Sequence, residues 1–199
     1  MTLYLIRHGQ TEANAQKRYC GRVDLPLSRE GVAGLLALKA RGAYPPATAF
    51  CTSGMLRARQ TLRLLYGHVD ASSLEELAEY DFGDFEMGRH EELLQNPAYL
   101  AWIQDTSGHV ACPGGESRAQ FEQRVWGGFP RLLRWLEAGQ PPSAVAILHG
   151  GVIVCLMSRL FPEERDFYGW QPPPGLGYRL SRSREGTFIY HTIEGVDSP

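Results

Sequence analysis

Two short apolar segments of this chain each lead into a histidine followed by glycine, and this pairing constrains the fold more than any other feature. Residues 3–6 come shortly before His8, and residues 144–148 come directly before His149. Short apolar runs that end in turn-forming residues are typical of strands buried on both faces of a parallel sheet. The carboxyl ends of neighbouring parallel strands meet at one edge, where such sheets bind their ligands. The sequence therefore predicts two histidines at the ligand-binding edge of a parallel sheet.

Helical patterns alternate with the predicted strands. Apolar residues at helical spacing follow a capping serine, Ser28, as far as about Gly42, and a longer pattern runs from Ser117 to Leu136. The other predicted elements are a strand at 48–52, a helix capped by Ser53, a helix at 152–160, and closing strands at 177–181 and 187–193 joined by a turn at 184–186. Strands that alternate with helices build α/β folds. We expect a three-layer sandwich with a mostly parallel central sheet and helices on both faces.

The segment from about residue 73 to residue 115 departs from this alternation. It is acidic and aromatic and contains several glycines. We expect a helical or loop insertion over one edge of the sheet, in a position suited to a lid. A chain of 199 residues has the size of one domain. We therefore predict a single domain across residues 1–199 with a lid-like insertion at about 73–115.

The composition excludes several classes of partner and location. A net charge of −2 provides no basic field for nucleic acid or an acidic membrane. The four cysteines lie far apart, which argues against a disulfide framework or a structural zinc site and fits a reducing compartment. The first apolar run is too short for a signal peptide, and the longest one is interrupted at His149. We expect a cytoplasmic protein with no nucleic-acid and no membrane partner.

Cationic side chains gather at the predicted strand ends. Arg7 and His8 follow the first strand, Arg57 begins the helix after the second, and His149 follows the third. Two guanidiniums and two imidazoles at one edge form an anion site, and the glycines beside the histidines let backbone amides approach. The natural ligand is a phosphoryl group. Two plainer interpretations remain open at this point: a buried histidine is often a satisfied core residue, and Arg57 could be a surface arginine.

A cysteine-dependent phosphatase is the rival chemistry. Cys51 precedes Arg57, and Cys112 precedes Arg118, at the spacing of the phosphate loop of such enzymes. The first pair lies partly inside a predicted strand, and the second encloses Glu116, whose negative charge would repel phosphate. Neither pair favours the mechanism. The sequence contains no Walker A loop, zinc-protease motif or Gly-x-Ser-x-Gly elbow.

Longer motifs around the strand ends resemble the histidine phosphatase superfamily, the phosphoglycerate mutase-like enzymes. The matching motifs, in the order of the family, are Leu5-Ile6-Arg7-His8-Gly9-Gln10-Thr11 with Asn14, Ser53-Gly54-Met55-Leu56-Arg57-Ala58 with Thr61, Leu77-x-Glu79 with Phe82-Gly83-Asp84, Gly114-Gly115-Glu116-Ser117, and His149-Gly150-Gly151. The sequence departs from the family pattern at Met55, where a leucine is usual, and at Leu148, where a serine is frequent. Neither departure removes a catalytic group.

The resemblance implies a mechanism and a set of site residues. His8 would accept the phosphoryl group as a phosphohistidine, and Glu79 would protonate the leaving alkoxide and then activate water. Only the resemblance separates Glu79 from Asp81 and Asp84. The residues implied to bind the phosphate are Arg7, Asn14, Arg57, a protonated His149 and Gly150. No metal and no cofactor are implied, because several cations converge on the phosphate.

The aromatic insertion narrows the implied substrate. The string Phe82-Gly83-Asp84-Phe85-Glu86, followed by Tyr99 and Trp102, resembles the α-ribazole phosphatases of cobalamin assembly more than the glycolytic mutases. An aromatic lid suits a leaving group with a planar base, although the same rings could simply hold the insertion onto the sheet. We expect an α-ribazole 5′-phosphate phosphatase of cobalamin nucleotide-loop assembly, a monomer or homodimer acting on a small-molecule phosphomonoester. The alternatives are a broad-specificity phosphatase on sugar or nucleotide phosphates, a mutase-type phosphotransferase, and a non-catalytic phosphoester-binding module.

Overall fold

A six-stranded sheet forms the centre of the computed structural model, which describes residues 2–183 and 187–193. The strands are β1 (Thr2–Arg7), β2 (Ala49–Thr52), β3 (Ser72–Ser73), β4 (Ser143–Leu148), β5 (Gly177–Arg182) and β6 (Phe188–Ile193). Their order is β3-β2-β4-β1-β5-β6; the first four are parallel, and β5 and β6 are antiparallel to their neighbours. The predicted mostly parallel sheet is confirmed. The predicted turn at 184–186 lies outside the described residues.

Helices cover both faces of this sheet. They are α1 (Glu12–Ala15), α2 (Arg29–Ala40), α3 (Leu56–Tyr66), α4 (His90–Leu93), α5 (Pro97–Ile103), α6 (Arg118–Gly139) and α7 (Gly150–Leu160), with single 3-10 turns at Glu75–Leu77, Gly83–Phe85 and Tyr168–Trp170. Successive strand side chains point to opposite faces. Leu5 and Ala146 pack in one core with α6 and α7, whereas Ile6 and Ile147 pack in a second core with α2 and α3. The predicted three-layer sandwich is confirmed.

Serine caps fix the start of two helices as the sequence predicts. The Ser28 side chain accepts a hydrogen bond from the amide of Gly31, and Ser117 forms a capping box with Gln120. The prediction that Ser53 caps α3 is wrong. The N-cap of α3 is Met55, which provides no side-chain cap. The Ser53 hydroxyl is bonded instead to a residue that follows the neighbouring strand.

The segment between residues 73 and 115 packs onto the sandwich by its aromatic and aliphatic side chains. It starts at the edge strand β3 and then contains two of the 3-10 turns, α4 and α5. Leu77, Phe85 and Tyr99 are buried in the same core as α6 and α7. Gly128 of α6 permits this contact, since a side chain there would collide with Glu76 and Leu77. A lid function for this segment stays a prediction.

None of the helices within residues 2–183 and 187–193 has the length and apolar character needed to cross a bilayer.

Candidate active site

The two histidines of the sequence motif lie side by side at the carboxyl edge of the sheet. Strands β1 and β4 are parallel and in register, with Arg7 opposite Leu148, so the residues that follow them are level. The His8 amide donates to the carbonyl of Leu148 at 2.9 Å. The rings of His8 and His149 meet edge to face with centroids 5.1 Å apart. The parallel register therefore brings together two residues that are far apart in the chain.

His8 is held as a neutral imidazole with one nitrogen available. It is 3% exposed, and its Nδ1 donates to the carbonyl of Gly9 at 2.6 Å. Its Nε2 accepts a hydrogen bond from Arg57 Nε at 3.2 Å. Burial and the adjacent Arg57 guanidinium lower the pKa of His8 to about 3, against the raising effect of the Gly9 carbonyl. At neutral pH Nε2 is therefore unprotonated, and its lone pair, which accepts the Arg57 bond in the ligand-free protein, is the one that can act as a nucleophile.

Arg57 places an uncompensated positive charge beside His8. The side chain is 1% exposed, and it also donates from Nη2 to the carbonyl of Gly21 at 2.8 Å and from Nη1 to the carbonyl of Val23 at 3.1 Å. In the described part of the chain no carboxylate forms an ion pair with it. A buried cation with only neutral partners favours the binding of an anion. The interpretation of Arg57 as a surface arginine is wrong.

Arg7 supplies a second guanidinium at the same edge. Its Nη1 donates to the carbonyl of Pro172 at 2.9 Å, and its buried Nε has no protein partner among the described residues. Burial lowers the pKa of Arg7, Glu79 raises it and Arg57 lowers it, yet a guanidinium stays charged at neutral pH. A Cβ at Gly150 would lie 3.3 Å from this guanidinium. The glycine thus lets Arg7 lie directly against the first turn of α7.

His149 points a free nitrogen into the same region, and Ser53 fixes which nitrogen it is. The Ser53 hydroxyl lies 2.6 Å from His149 Nε2 and accepts the amide of Met55 at 3.4 Å. We assign the hydroxyl proton to the bond with Nε2, which places the ring proton of His149 on Nδ1. That Nδ1 is buried without a partner in the described residues. The result is an unsatisfied N–H donor next to His8, which an anion would satisfy.

His149 is held neutral in the ligand-free protein, and its protonation on a bound phosphoryl group stays a prediction. The ring is fully buried, and burial lowers its pKa well below the usual value. His8, Arg57 and Arg7 lower it further. Placing a cation beside two guanidiniums is unfavourable, so His149 serves as a neutral donor until a negative charge enters the site.

Glu79 lies at the start of α7, next to the two histidine motifs. It is 9% exposed; its Oε2 accepts the amide of Gly151 and its Oε1 that of Tyr80, each at 3.0 Å. A Cβ on Gly151 would lie 2.5 Å from Oε1, so the glycine is needed for this approach. Asp81 is engaged elsewhere, with its carboxylate on the amide of Gly83. Glu79, unlike Asp81, thus binds the first turn of α7, and its choice as the proton donor stays a prediction.

The later Gly-Glu-Ser motif supports the backbone of Glu79. Arg124 donates to the carbonyls of Ala78 at 2.9 Å and Glu79 at 3.2 Å. The same guanidinium pairs with Glu116, 2.5 Å from Nη2 to Oε1. Arg124 has no motif spacing of its own and acts only through the folded segment, so the sequence carries no signal for it.

The side chain of Asn14 forms its hydrogen bonds at the start of its own helix rather than with the other predicted site residues. Its Oδ1 accepts the amide and the hydroxyl of Thr11, each at 3.1 Å, in the capping box of α1. Its backbone amide donates to the Thr11 hydroxyl at 3.3 Å, and its side-chain nitrogen Nδ2 has no hydrogen-bond partner in residues 2–183 and 187–193. No hydrogen bond joins Asn14 to the other predicted site residues there, so a role on phosphate depends on that nitrogen alone.

Thr61 and Ser53 are functional candidates that the sequence analysis did not assign to the site. The buried Thr61 hydroxyl accepts the amide of Gly9 at 3.0 Å and donates to the carbonyl of Arg57 at 2.7 Å, which ties both motifs together. Thr61 was visible only as a motif residue one helical turn after Arg57. Ser53 follows a strand end, which is the signal that marks the other site residues.

The aromatic rings of the 73–115 segment pack chiefly on one another. Phe82 stacks on Tyr80 at 4.9 Å between centroids and tilts against Tyr19 at 5.0 Å. Trp102 contacts the same rings and donates from Nε1 to the Tyr80 hydroxyl at 3.1 Å. The packing interpretation of these rings is confirmed. Tyr19 and Phe82 remain partly exposed and could also contact a ligand.

Among the residues that the structure describes, no three histidine, cysteine, aspartate or glutamate side chains cluster in a way that could hold a metal ion.

Comparison with known proteins gives consistent matches over most of the chain. The sequence model of the histidine phosphatase superfamily (branch 1) matches residues 3–186. An adenosylcobalamin/alpha-ribazole phosphatase of Salmonella typhimurium is 34% identical over 165 residues, covering 80% of this chain and 79% of the relative. The crystal structure of the alpha-ribazole phosphatase from Shigella flexneri superimposes with a TM-score of 0.86 at 26% identity and covers 100% of this chain and 99% of that chain.

A mutase is also among the relatives. A 2,3-bisphosphoglycerate-dependent phosphoglycerate mutase of Rhizobium etli is 29% identical over 168 residues and covers 76% of each chain. The relatives of this chain therefore include proteins named as phosphatases and proteins named as phosphoglycerate mutases.

Proposed function

This chain belongs to the histidine phosphatase superfamily, and on that premise we propose that it hydrolyses a phosphomonoester through a phosphohistidine formed on His8. The observation that carries the proposal is the state of His8. Its Nδ1 is fixed on the Gly9 carbonyl, its Nε2 is unprotonated and lies against Arg57, and its pKa is lowered to about 3 by burial and by that guanidinium. A neutral imidazole oriented in this way is a prepared nucleophile.

In the first step His8 Nε2 attacks phosphorus in line with the bond to the leaving oxygen. The N–P bond forms as the P–O bond breaks, and the electron pair of that bond leaves with the oxygen. Glu79 acts as the general acid and gives a proton to the leaving alkoxide. Arg7, Arg57 and the Nδ1–H of His149 are the proposed donors to the phosphoryl oxygens, with the Gly150 amide and the Asn14 side-chain nitrogen as further donors.

In the second step water replaces the leaving alcohol. Glu79, now a carboxylate, takes a proton from the water while the water oxygen attacks phosphorus. The N–P bond breaks, and its electron pair returns to His8. Inorganic phosphate leaves, and both side chains regain their starting states. The negative charge of the phosphoryl group also favours protonation of His149, because it opposes the depression of its pKa in the free protein.

We propose α-ribazole 5′-phosphate as the substrate, processed in the cytoplasm by a monomer or homodimer without a nucleic-acid or membrane partner. Two relatives named for alpha-ribazole phosphatase activity, one compared by sequence and one by structure, support this choice. The partly exposed rings of Tyr19 and Phe82 also support it, since Phe82 stacks on Tyr80, the residue after Glu79, and the two rings offer an apolar surface to a planar base.

A substrate panel tests the proposal. We expect kcat/KM for α-ribazole 5′-phosphate to exceed the values for sugar phosphates, phosphoglycerates and nucleotides by about 100-fold, which corresponds to roughly 2.7 kcal/mol of differential transition-state stabilisation. The assay measures phosphate release in the presence of a chelator. A flat profile would instead indicate a broad-specificity phosphatase, and transfer of the phosphoryl group between phosphoglycerates without its release would indicate a mutase.

Removing the hydroxyl that orients His149 should lower activity without loss of the fold. We expect Ser53→Ala to lower kcat/KM about tenfold, because His149 loses the bond that keeps its proton on Nδ1. The measurement is phosphate release at several substrate concentrations. Ser28→Ala is a matched control: it removes a buried serine hydroxyl that caps α2, and it should reduce thermal stability while kcat/KM stays unchanged. An unaltered kcat/KM in Ser53→Ala would contradict the assigned proton position.

A further inference from the structure

A single carboxylate, that of Glu86, gathers the backbone amides of a loop that is distant in sequence. Its two oxygens accept the amides of Gly21 at 3.1 and 3.0 Å, Arg22 at 2.8 Å and Val23 at 3.4 Å. It also accepts the amide of Phe82 at 3.3 Å. Successive amides directed at one point form an anion-binding turn, and here a side chain of the protein occupies it.

The opposite side of the same loop holds Arg57. The carbonyls of Gly21 and Val23 accept the two terminal nitrogens of its guanidinium, and its Nε donates to His8 Nε2. The carbonyl of Gly21 and the amide of Arg22 belong to one peptide group. In a trans peptide these two atoms point in opposite directions. One peptide dipole therefore lies between the Glu86 carboxylate and the Arg57 guanidinium, with its positive end on the anion and its negative end on the cation.

This arrangement strengthens both hydrogen bonds. Charge-assisted bonds are shorter and stronger than neutral ones, and bonds in a chain polarise one another. The carboxylate fixes the loop, and the polarised carbonyls fix the direction of the guanidinium. Among the residues that the structure describes, no carboxylate pairs with Arg57 to restrict its rotation. The loop is the only described restraint on its two terminal nitrogens.

The Glu86 side chain is itself held in a fixed position. It follows the 3-10 turn Gly83–Phe85, whose Phe85 is 1% exposed in the aromatic cluster. Gly21 lies so close to Tyr80 that a Cβ there would overlap the Tyr80 carbonyl oxygen. The loop and the segment that carries Glu79 are therefore in direct contact. Glu86 therefore connects the 73–115 segment, through the loop, to Arg57 beside His8 Nε2.

We propose that Glu86 is a positioning residue that aligns Arg57, through the peptide between Gly21 and Arg22, for the phosphoryl group attacked by His8. The proposal rests on the proposed function, in which Arg57 binds the phosphate. Glu86 itself touches neither the substrate nor His8. A glutamine at this position has a single acceptor oxygen, and its NH2 group would face amides that need acceptors. The loop would then relax, and the guanidinium would lose its alignment.

A double-mutant cycle tests this role. We expect Glu86→Gln to lower kcat/KM for p-nitrophenyl phosphate by about 100-fold, the loss expected from a displacement of about 1 Å in a charge-stabilising group. The inhibition constant for inorganic phosphate should rise in the same variant, because the displaced group is a phosphate ligand. In the Arg57→Ala background, Glu86→Gln should cost less than about threefold, since the residue it aligns is already gone.

Glu92→Gln is the matched control. Glu92 lies in the same segment, is also a glutamate that accepts a backbone amide, that of Arg89 at 3.0 Å, and has no contact with the 21–23 loop. We expect its kcat/KM to equal that of the unaltered protein. Should Glu86→Gln fail to fold, Glu86→Asp takes its place in the cycle, since the shorter carboxylate keeps the charge but cannot reach all three amides.

Two results would overturn the inference. Equal losses from the Glu86 substitution with and without Arg57, or an unchanged phosphate inhibition constant, would show that Glu86 does not act through Arg57. Full activity in Arg57→Ala alone would overturn the proposed phosphate site itself. The failure of the positioning role and the failure of the proposed function are therefore distinguishable in the same set of variants.

Discussion

Substitution of His8 by alanine should abolish turnover, with kcat for p-nitrophenyl phosphate lowered by about 10⁴-fold or more. No other described side chain combines an unprotonated nucleophilic atom with direct contact to a buried guanidinium. The measurement is steady-state phosphate release together with rapid quenching of a reaction with 32P-labelled substrate. The unaltered protein should yield a phosphoenzyme that survives alkali and is lost in acid, as expected of a phosphorylated imidazole, and His8→Ala should yield none.

Cys51→Ala is the control, because Cys51 belongs to the rival mechanism. The thiol is fully buried within β2, and burial raises its pKa to about 12, so it is not an available thiolate. The second cysteine of that alternative, Cys112, is also buried, with its pKa raised to about 12, and Arg118 is directed to the carbonyl of Thr106 instead. Cys51→Ala should keep its full kcat. Formation of a phosphoenzyme by His8→Ala would contradict the site assignment. Failure of Cys51→Ala to form one would contradict it as well.

The sequence could predict those features that follow from local pattern and from one rule of sheet topology. The apolar runs predicted β1 and β4, and the serine caps predicted the starts of α2 and α6, because strand burial and helix capping depend on neighbouring residues. The rule that parallel strands align their carboxyl ends then placed His8 next to His149, 141 positions further along the chain.

The features that the sequence could not predict depend on contacts between distant segments. Ser53 has the spacing of a helix cap, yet its hydroxyl is hydrogen-bonded to His149 at the edge of the sheet. The two residues are distant in sequence, so no local pattern predicts this bond. The neutral state of His149 follows first from the burial of its own ring and then from the charges of neighbouring groups, His8, Arg57 and Arg7 foremost, which no motif records. Glu86 is one acid among many in its segment, and only the folded loop gives it three amides to accept.

Replacing the carboxyl of Glu79 by an amide should affect substrates according to their leaving groups. We expect Glu79→Gln to lower kcat/KM by about 10³-fold for α-ribazole 5′-phosphate, whose alkoxide needs a proton to leave. The loss for p-nitrophenyl phosphate should be less than about tenfold, since its phenolate leaves without protonation. kcat/KM reports the steps up to phosphoenzyme formation and so isolates the acid role of Glu79 from its later role as base. The glutamine can still accept the Gly151 amide through its remaining oxygen, while its NH2 group faces the Tyr80 amide that Oε1 accepts in the unaltered protein, so a moderate loss common to both substrates accompanies the leaving-group effect.

Asp84→Asn is the control for this comparison. Asp84 lies in the same acidic segment but is exposed, and the amide substitution there should leave kcat/KM for both substrates unchanged. Equal losses on both substrates in Glu79→Gln would show that the Glu79 carboxylate only orders the first turn of α7 through Gly151. A selective loss in Asp84→Asn would transfer the acid role to that residue. A leaving-group dependence found only in Glu79→Gln would assign proton transfer to the carboxyl group that the fold brings to the two histidines. The position of an acid in the folded site, rather than the acidity of its segment, decides whether it can reach the leaving oxygen.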